Sequence, residues 1–194
     1  MPKARNMPAA PLQKTEIVNR IAMVFRQHGY EGASLSLIAD ATGLGRSSIY
    51  HHFPGGKDEM VEAVFEQTGN WLAENILAPL RAPGEPAARL EQMLRAVDAL
   101  YDGGKLNCLL GVLALGNSHE RFQQHLKQRF DGCISALARL IAEAGIDKQL
   151  AAERAEDAVV RIQGALIVAR GRANAAPFKR ALQRIKQELL APAD

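Results

Sequence analysis

The sequence predicts an all-α protein, a small three-helix unit at the N-terminal end followed by a larger helical bundle. Three observations carry this. Ala and Leu are abundant while aromatic residues make up 5% of the 194 residues, a balance that favours helices. Apolar residues recur at three- and four-residue spacing over most of the chain, with almost no two-residue alternation. Gly and Pro stand at intervals that cut these patterns into about nine segments. The length allows one large domain or a small one beside a larger one, with a core that needs no covalent staples.

The elements follow in order. Ile17, Ile21, Val24 and Phe25 form the stripe of a first helix, with Thr15 placed to cap it and Gly29 to close it. Ser34 caps a short segment whose inner side holds Leu35, Ile38, Ala39 and Thr42, and Gly43 ends it. Leu44 and Gly45 complete a tight connection to "RSSIYHHF", where Ile49 and Phe53 point inward together. After the break Pro54-Gly55-Gly56, "KDEMVEAVFEQTGNWLAENILAPL" makes a long helix with Asp58 and Glu59 in its first turn, as the helix dipole prefers. "RAPGEP" punctuates the chain before an amphipathic stripe of Leu90, Met93, Leu94, Val97 and Leu100. "LNCLLGVLALG" is apolar on nearly every side and is expected at the centre of the fold. Phe122, Leu126, Phe130, Ile134, Leu137 and Ile141 line one face of the next helix, which Gly145 stops. Two further helices, "QLAAERAEDAVVRIQGALIVARG" and "APFKRALQRIKQELL", complete the chain.

Charge is distributed unevenly. Residues 1–57 hold seven Lys or Arg (Lys3, Arg5, Lys14, Arg20, Arg26, Arg46, Lys57) against three acids (Glu16, Glu31, Asp40), a net +4, which leaves −1 for the remainder. An excess confined to one end points to an anionic partner at that end. The cluster Ser47, Ser48, His51 and His52 does not suit catalysis: neighbours on a helix diverge by about 100°, so the two histidines cannot serve one site. Nor do they have the spacing of a helical zinc pair, and His119 and His125 are not spaced as a metal pair within one turn, with no acidic partner that stands out. No metal, no cofactor and no enzymatic activity are expected. The same residues suit the second helix of a helix-turn-helix, with short polar side chains entering a major groove and cationic or phenolic groups reaching phosphates.

Two cysteines, Cys108 and Cys133, are too few for a disulfide framework, and no apolar run is long enough to span a bilayer. Residues 1–13 are basic and rich in Pro and Ala, without the apolar core of an export signal, and are expected to form a loose arm. A reducing, cytoplasmic setting without membrane contact follows as the expectation.

The run "IVNRIAMVFRQHGYEGASLSLIADATGLGRSSIYHHFPGGKDEMVEAVF" resembles the N-terminal DNA-binding domain of the TetR family of transcriptional regulators. The family's "IA" pair, small-residue turn and "xxLYxHFxxK" stand here as Ile38-Ala39, Gly43-Leu44-Gly45 and "SIYHHFPGGK". The resemblance implies a helix-turn-helix domain over 14–57 and an effector-binding and dimerisation domain over 58–194. It implies DNA contacts by Ser34, Ser36, Arg46, Ser47, Ser48, Tyr50, His51 and Lys57. Two departures are Ala33, where many relatives have a hydroxyl residue, and "PGGK", one residue longer than the usual "PSK". That insertion, with "NCLLGVLALG" and "GALIVARGRANAAPFKRAL", is similar to the subgroup of the LmrA and YxaF repressors, although Asn107 stands where Gly is expected before Cys108.

The implied protein is a repressor, released from a near-palindromic duplex operator by a small apolar or aromatic effector that tilts the fourth helix through Lys57 and Pro54. Candidate pocket residues, taken from apolar faces, are Trp71, Asn75, Met93, Val97, Tyr101, Cys108, Leu109, Val112, Phe130, Ile134, Ile162 and Leu166, with Asn75 and Tyr101 supplying polar tips. Cys108, in an apolar run with Lys105 as its one nearby cation, reads as an inert buried thiol. "AVVRIQGALIVA" is apolar on two sides, Val159, Ile162 and Leu166 on one and Val160, Gly164, Ile167 and Val168 on the other. With the stripe Phe178, Leu182, Ile185 and Leu189 it predicts a homodimer through the last two helices. A non-specific DNA-coating protein and an all-helical enzyme or carrier are the alternatives from other classes.

Overall fold

The computed structural model describes residues 12–192, and these form helices with no strand. Residues 1–11 of the expected arm lie outside the described residues.

Helix α1 (Lys14–Gly32) buries Ile17, Val18, Ile21, Val24 and Phe25. Gln13 precedes it in extended conformation, so Thr15 lies inside the helix rather than capping it. Gly29, at φ +68°, leaves the helical conformation, and Tyr30 and Glu31 follow in a new direction. Ser34 caps α2 (Leu35–Thr42), its Oγ accepting from Leu37 N at 3.2 Å. Gly43, at φ +70°, closes α2 by donating to Ala39 O at 2.8 Å. After Leu44 and Gly45 comes α3 (Arg46–His52), held by the buried side chains of Ile49 and Phe53.

The long predicted helix is one rod with an interruption: α4 (Lys57–Leu72), a π-helical turn Ala73–Leu77 and α5 (Ala78–Arg81). Two residues favour the wider turn. Asn75 Nδ2 donates to Trp71 O at 2.9 Å, and Pro79 has no N–H to continue the ladder. The body continues with α6 (Pro86–Leu100), a 3₁₀ turn Asp102–Gly104, α7 (Leu109–Leu115), α8 (His119–Glu143), α9 (Lys148–Gly171) and α10 (Ala176–Glu188).

The core is continuous from Ile17 to Leu189, so buried side chains of the head pack against those of the body. Helix α1 packs on both α4 and α7, and α9 lies between α8 and α10. Two expectations change in detail, and a third holds. Helix α7 buries Leu109, Leu110 and Leu113, but Leu115 is 80% exposed, so the apolar segment is not enclosed on all sides. Phe178, Leu182, Ile185 and Leu189 of α10 are buried within the chain, with Phe178 edge-on to Tyr101 at 5.8 Å, and are not available to a second copy. Helix α9 keeps its two apolar faces: Ile162 and Leu166 point inward, while Val160 (62%), Ile167 (63%) and Val168 (47%) stay exposed beside the exposed Gly164.

Candidate nucleic-acid interface and interior cavity

Helix α3 buries one side chain, Ile49, and presents the others outward: Arg46, Ser47, Ser48, Tyr50 and His51 are all exposed. Ser34 and Ser36 at the start of α2 are exposed as well, Ser34 with its Oγ engaged in capping. Seven of the eight sequence-predicted contact residues therefore lie at the surface of this head. A polar, cationic helix anchored by Ile49 and Phe53 is rigid enough to enter a major groove. Lys14 Nζ sits 5.7 Å from the centre of the Phe53 ring, adding charge behind it.

The eighth, Lys57, is differently placed. It opens α4 but is half-buried, with Nζ 4.5 Å from the centre of the Tyr30 ring. The extra glycine of "PGGK" explains the entry into this helix. Gly56 takes φ +67° as the N-cap, and Glu59 Oε2 accepts from Gly55 N at 2.8 Å, closing the loop over the first turn.

Around Tyr30 the head is tied to the body. Its hydroxyl donates to Asp58 Oδ1, and Arg121 on α8 pairs with the other oxygen of Asp58 at 2.5 Å. The Tyr30 hydrogen bond holds the Asp58 carboxyl below the usual carboxylate range, with Arg121 acting in the same direction. Burial, followed by the Asp58 hydrogen bond, raises the Tyr30 phenol. Glu31 Oε1 accepts from Ser118 N, in the turn between α7 and α8, at 2.6 Å, which lowers the Glu31 carboxyl. Asn107, the departure from the subgroup pattern, donates to Arg26 O at 3.1 Å and so joins the start of α7 to α1.

Inside the body, α4, α6, α7, α8, α9 and the π turn line a partly open, mostly apolar cavity of about 70 Å³. Of the twelve predicted pocket residues it brings together Met93, Val97, Tyr101, Cys108, Phe130 and Ile162. Trp71 lines a groove between α1 and α4 instead, and Val112 and Leu166 line a cleft between α1, α7 and α9. Asn75, Leu109 and Ile134 line none of these; the Asn75 amide is spent on its own helix, leaving Tyr101 as the polar tip. Burial, reinforced by the neighbouring Cys108, raises the Tyr101 phenol well above its ordinary range. Cys108 Sγ caps α7 by accepting from Gly111 N at 3.4 Å. Burial pushes the Cys133 thiol up to about 11, so it stays protonated.

Sequence reasoning missed the polar wall residues Arg129 and Gln163 along with Cys133. The available signal was a polar residue inside an apolar run, Gln163 in "RIQGALIV", and the helix-interior Gly69. A Cβ on Gly69 would lie 2.3 Å from Arg129 Nη2, so that glycine makes room for the guanidinium.

Among the described residues no group of His, Cys, Asp and Glu could hold a metal ion, and no helix is long and apolar enough to cross a membrane. Comparison with known proteins agrees with the geometry of the head. Residues 17–64 match the family described as bacterial regulatory proteins, tetR family, and residues 86–184 match the transcriptional regulator LmrA/YxaF-like C-terminal domain. The HTH-type transcriptional regulator LmrA of Bacillus subtilis is 20% identical over 85% of this chain and 90% of its own. The repressor AcnR of Corynebacterium efficiens is 35% identical over 32% of this chain and 33% of its own. A TetR regulator from Legionella pneumophila superposes with a TM-score of 0.75 at 20% identity, covering 93% of this chain and 98% of that one. A cysteine mutant of the TetR regulator CifR, complexed with 26-bp double-strand operator DNA, gives 0.71 at 19% identity, covering 92% and 98%. With a helix-turn-helix whose outer face is exposed and a body matched over residues 86–184, the chain belongs to the tetR family of bacterial regulatory proteins, in the LmrA/YxaF-like subgroup, and is a DNA-binding transcriptional regulator.

Proposed function

We propose that this regulator is a repressor that acts in the cytoplasm as a homodimer and leaves its operator when a small organic effector enters the interior cavity. The domains are taken as 14–57 for the DNA-binding head and 58–194 for the sensing and dimerising body. The observation that carries the reading is the exposed row Arg46, Ser47, Ser48, Tyr50 and His51 on a helix fixed from behind by Ile49 and Phe53. The names of relatives such as AcnR, a repressor, favour negative control.

The size of the cavity supplies the mechanism. At about 70 Å³ it is far below the 300–1,000 Å³ that a drug-sized ligand fills, so a ligand must displace side chains on α6, α7 and α8. Those helices carry the partners of the head: Asn107 before α7, Ser118 between α7 and α8, and Arg121 on α8. Expansion is felt at Tyr30, Glu31 and Asp58 and reorients α1 and α4 together. A coupling of about 1–3 kcal/mol is sufficient for release. Two heads in successive major grooves require recognition helices about 34 Å apart, or a longer multiple.

The test is a salt-titrated binding assay on selected operator oligonucleotides and random duplex. Arg46→Ala should relax base preference. Lys57→Ala should weaken every duplex alike and reduce the slope of log affinity on log salt by about 0.9. Equal affinity of the wild-type chain for operator and random duplex would overturn specific regulation, and an unchanged slope in Lys57→Ala would remove its phosphate role.

A further inference from the structure

Arg129 is the one charged residue on the wall of a mostly apolar cavity, and it has only neutral acceptors. Its Nη2 donates to Phe65 O at 3.2 Å and its Nη1 to Gln128 Oε1 at 3.3 Å, while Nε is buried without a partner. No carboxylate lies within ion-pair distance of it among the described residues, whereas Arg89, Arg121 and Arg161 each have one. Arg129 is half-buried, and a guanidinium partly withdrawn from water with no counter-charge leaves part of its desolvation cost uncompensated. The chain nevertheless makes a place for it. Gly69 lies inside α4, where glycine costs about 1 kcal/mol relative to alanine, and any Cβ there would stand 2.3–2.9 Å from guanidinium atoms. A residue that served only as apolar wall would need neither the charge nor the glycine.

We propose that the effector is an organic monoanion, a carboxylate on an apolar body, with Arg129 receiving the acid group; this rests on the reading of the cavity as the effector site. The planar donor fork of arginine matches a carboxylate. One guanidinium on a wall otherwise built from side chains such as Leu72, Met93, Val97 and Ile162 suits one negative charge and an alkyl or aryl remainder, not a phosphate dianion. Tyr101 and Gln163 stand on the same cavity and add neutral hydrogen-bonding groups for the remainder of the ligand.

The test uses the full chain and calorimetric titration with matched pairs, 4-tert-butylbenzoate, octanoate and decanoate against their primary amides. Wild type should bind at least one acid about tenfold to a hundredfold more tightly than its amide. In Arg129→Gln, which keeps a donor for Phe65 O, that preference should shrink to within about threefold while the amide's affinity holds. Gly69→Ala, which displaces the guanidinium but leaves the charge, should weaken the acid selectively and so separates seating from folding. Equal binding of acid and amide by wild type, or an acid preference that persists in Arg129→Gln, would overturn the proposal while leaving a neutral-effector cavity standing. Failure of every probe to bind a wild-type chain that still binds duplex DNA would remove the effector reading of the cavity and this proposal with it.

Discussion

The exposed face of α9 gives a dimer prediction whose size can be worked out. Full burial of an Ile or Val side chain is worth about 1.5–3 kcal/mol. Ile167 is 63% exposed in the single chain, so about 1–2 kcal/mol remains to be gained at this residue. A two-fold interface uses each residue twice, so Ile167 alone contributes about 2–4 kcal/mol to the dimer. Ile167→Asp forfeits that gain and brings two carboxylates into an apolar interface. The dimer dissociation constant should rise by at least about 30-fold to 1,000-fold. Because the site is exposed in the single chain, the substitution should change the stability of the fold by no more than about 0.5 kcal/mol, which a circular dichroism melt at low protein concentration checks. Sedimentation across a dilution series reads the dissociation constant. A variant as dimeric as wild type throughout the series would refute the assignment of this face.

Two further predictions concern the ties between head and body. Glu31→Gln weakens the charge-assisted bond to Ser118 N, and the change in operator affinity that a bound effector produces should shrink by about threefold to tenfold, measured as operator affinity with and without ligand. An unchanged response would place the coupling elsewhere. The pH dependence follows from Asp58 and Glu31, whose carboxyls are both lower in the folded chain than in the unfolded one. Their stabilisation is complete above the unfolded value of about 4 and is lost as pH falls through the folded values. These two groups should therefore leave the melting temperature flat between about pH 5 and 8, with a decline below about pH 4 that is shallower in Asp58→Asn; an equal decline in that variant would refute it.

The centre of the head was legible in sequence because the boundaries of α2 have local chemical causes, whereas the start of α1 has no side-chain cap. Ser34 caps α2 with its own hydroxyl, and Gly43 adopts a conformation that a Cβ would strain. Ile49 and Phe53 are the only large apolar residues in their stretch besides Tyr50, so the inward face had one solution. Lys57 was harder: its position at the start of α4 is readable, but its placement over Tyr30 depends on a residue 27 positions earlier. Asn107 is similar, an evident departure in sequence whose partner, the Arg26 carbonyl, only the packing of α7 on α1 supplies.

The body was less legible because periodicity identifies an apolar face but not what the face meets. The α10 stripe of Phe178, Leu182, Ile185 and Leu189 and the outer α9 residues Val160 and Ile167 look alike as patterns, yet one is enclosed within the chain and the other is open. The same ambiguity separates Met93, which faces the cavity, from Leu109, which is solid core. What distinguishes an opening from a core is the mismatch between neighbouring helices, and its trace in the sequence lies in residues that break the apolar pattern. Gly69 and Arg129 are that trace here: 60 positions apart and unremarkable singly, together they mark where α4 and α8 make room for a charge beside a void. Polar interruptions and small residues on facing helices therefore point to the cavity better than the aromatic and apolar residues that first suggest it, since a core residue is used wherever packing is solid while a cation without a counter-charge needs a reason.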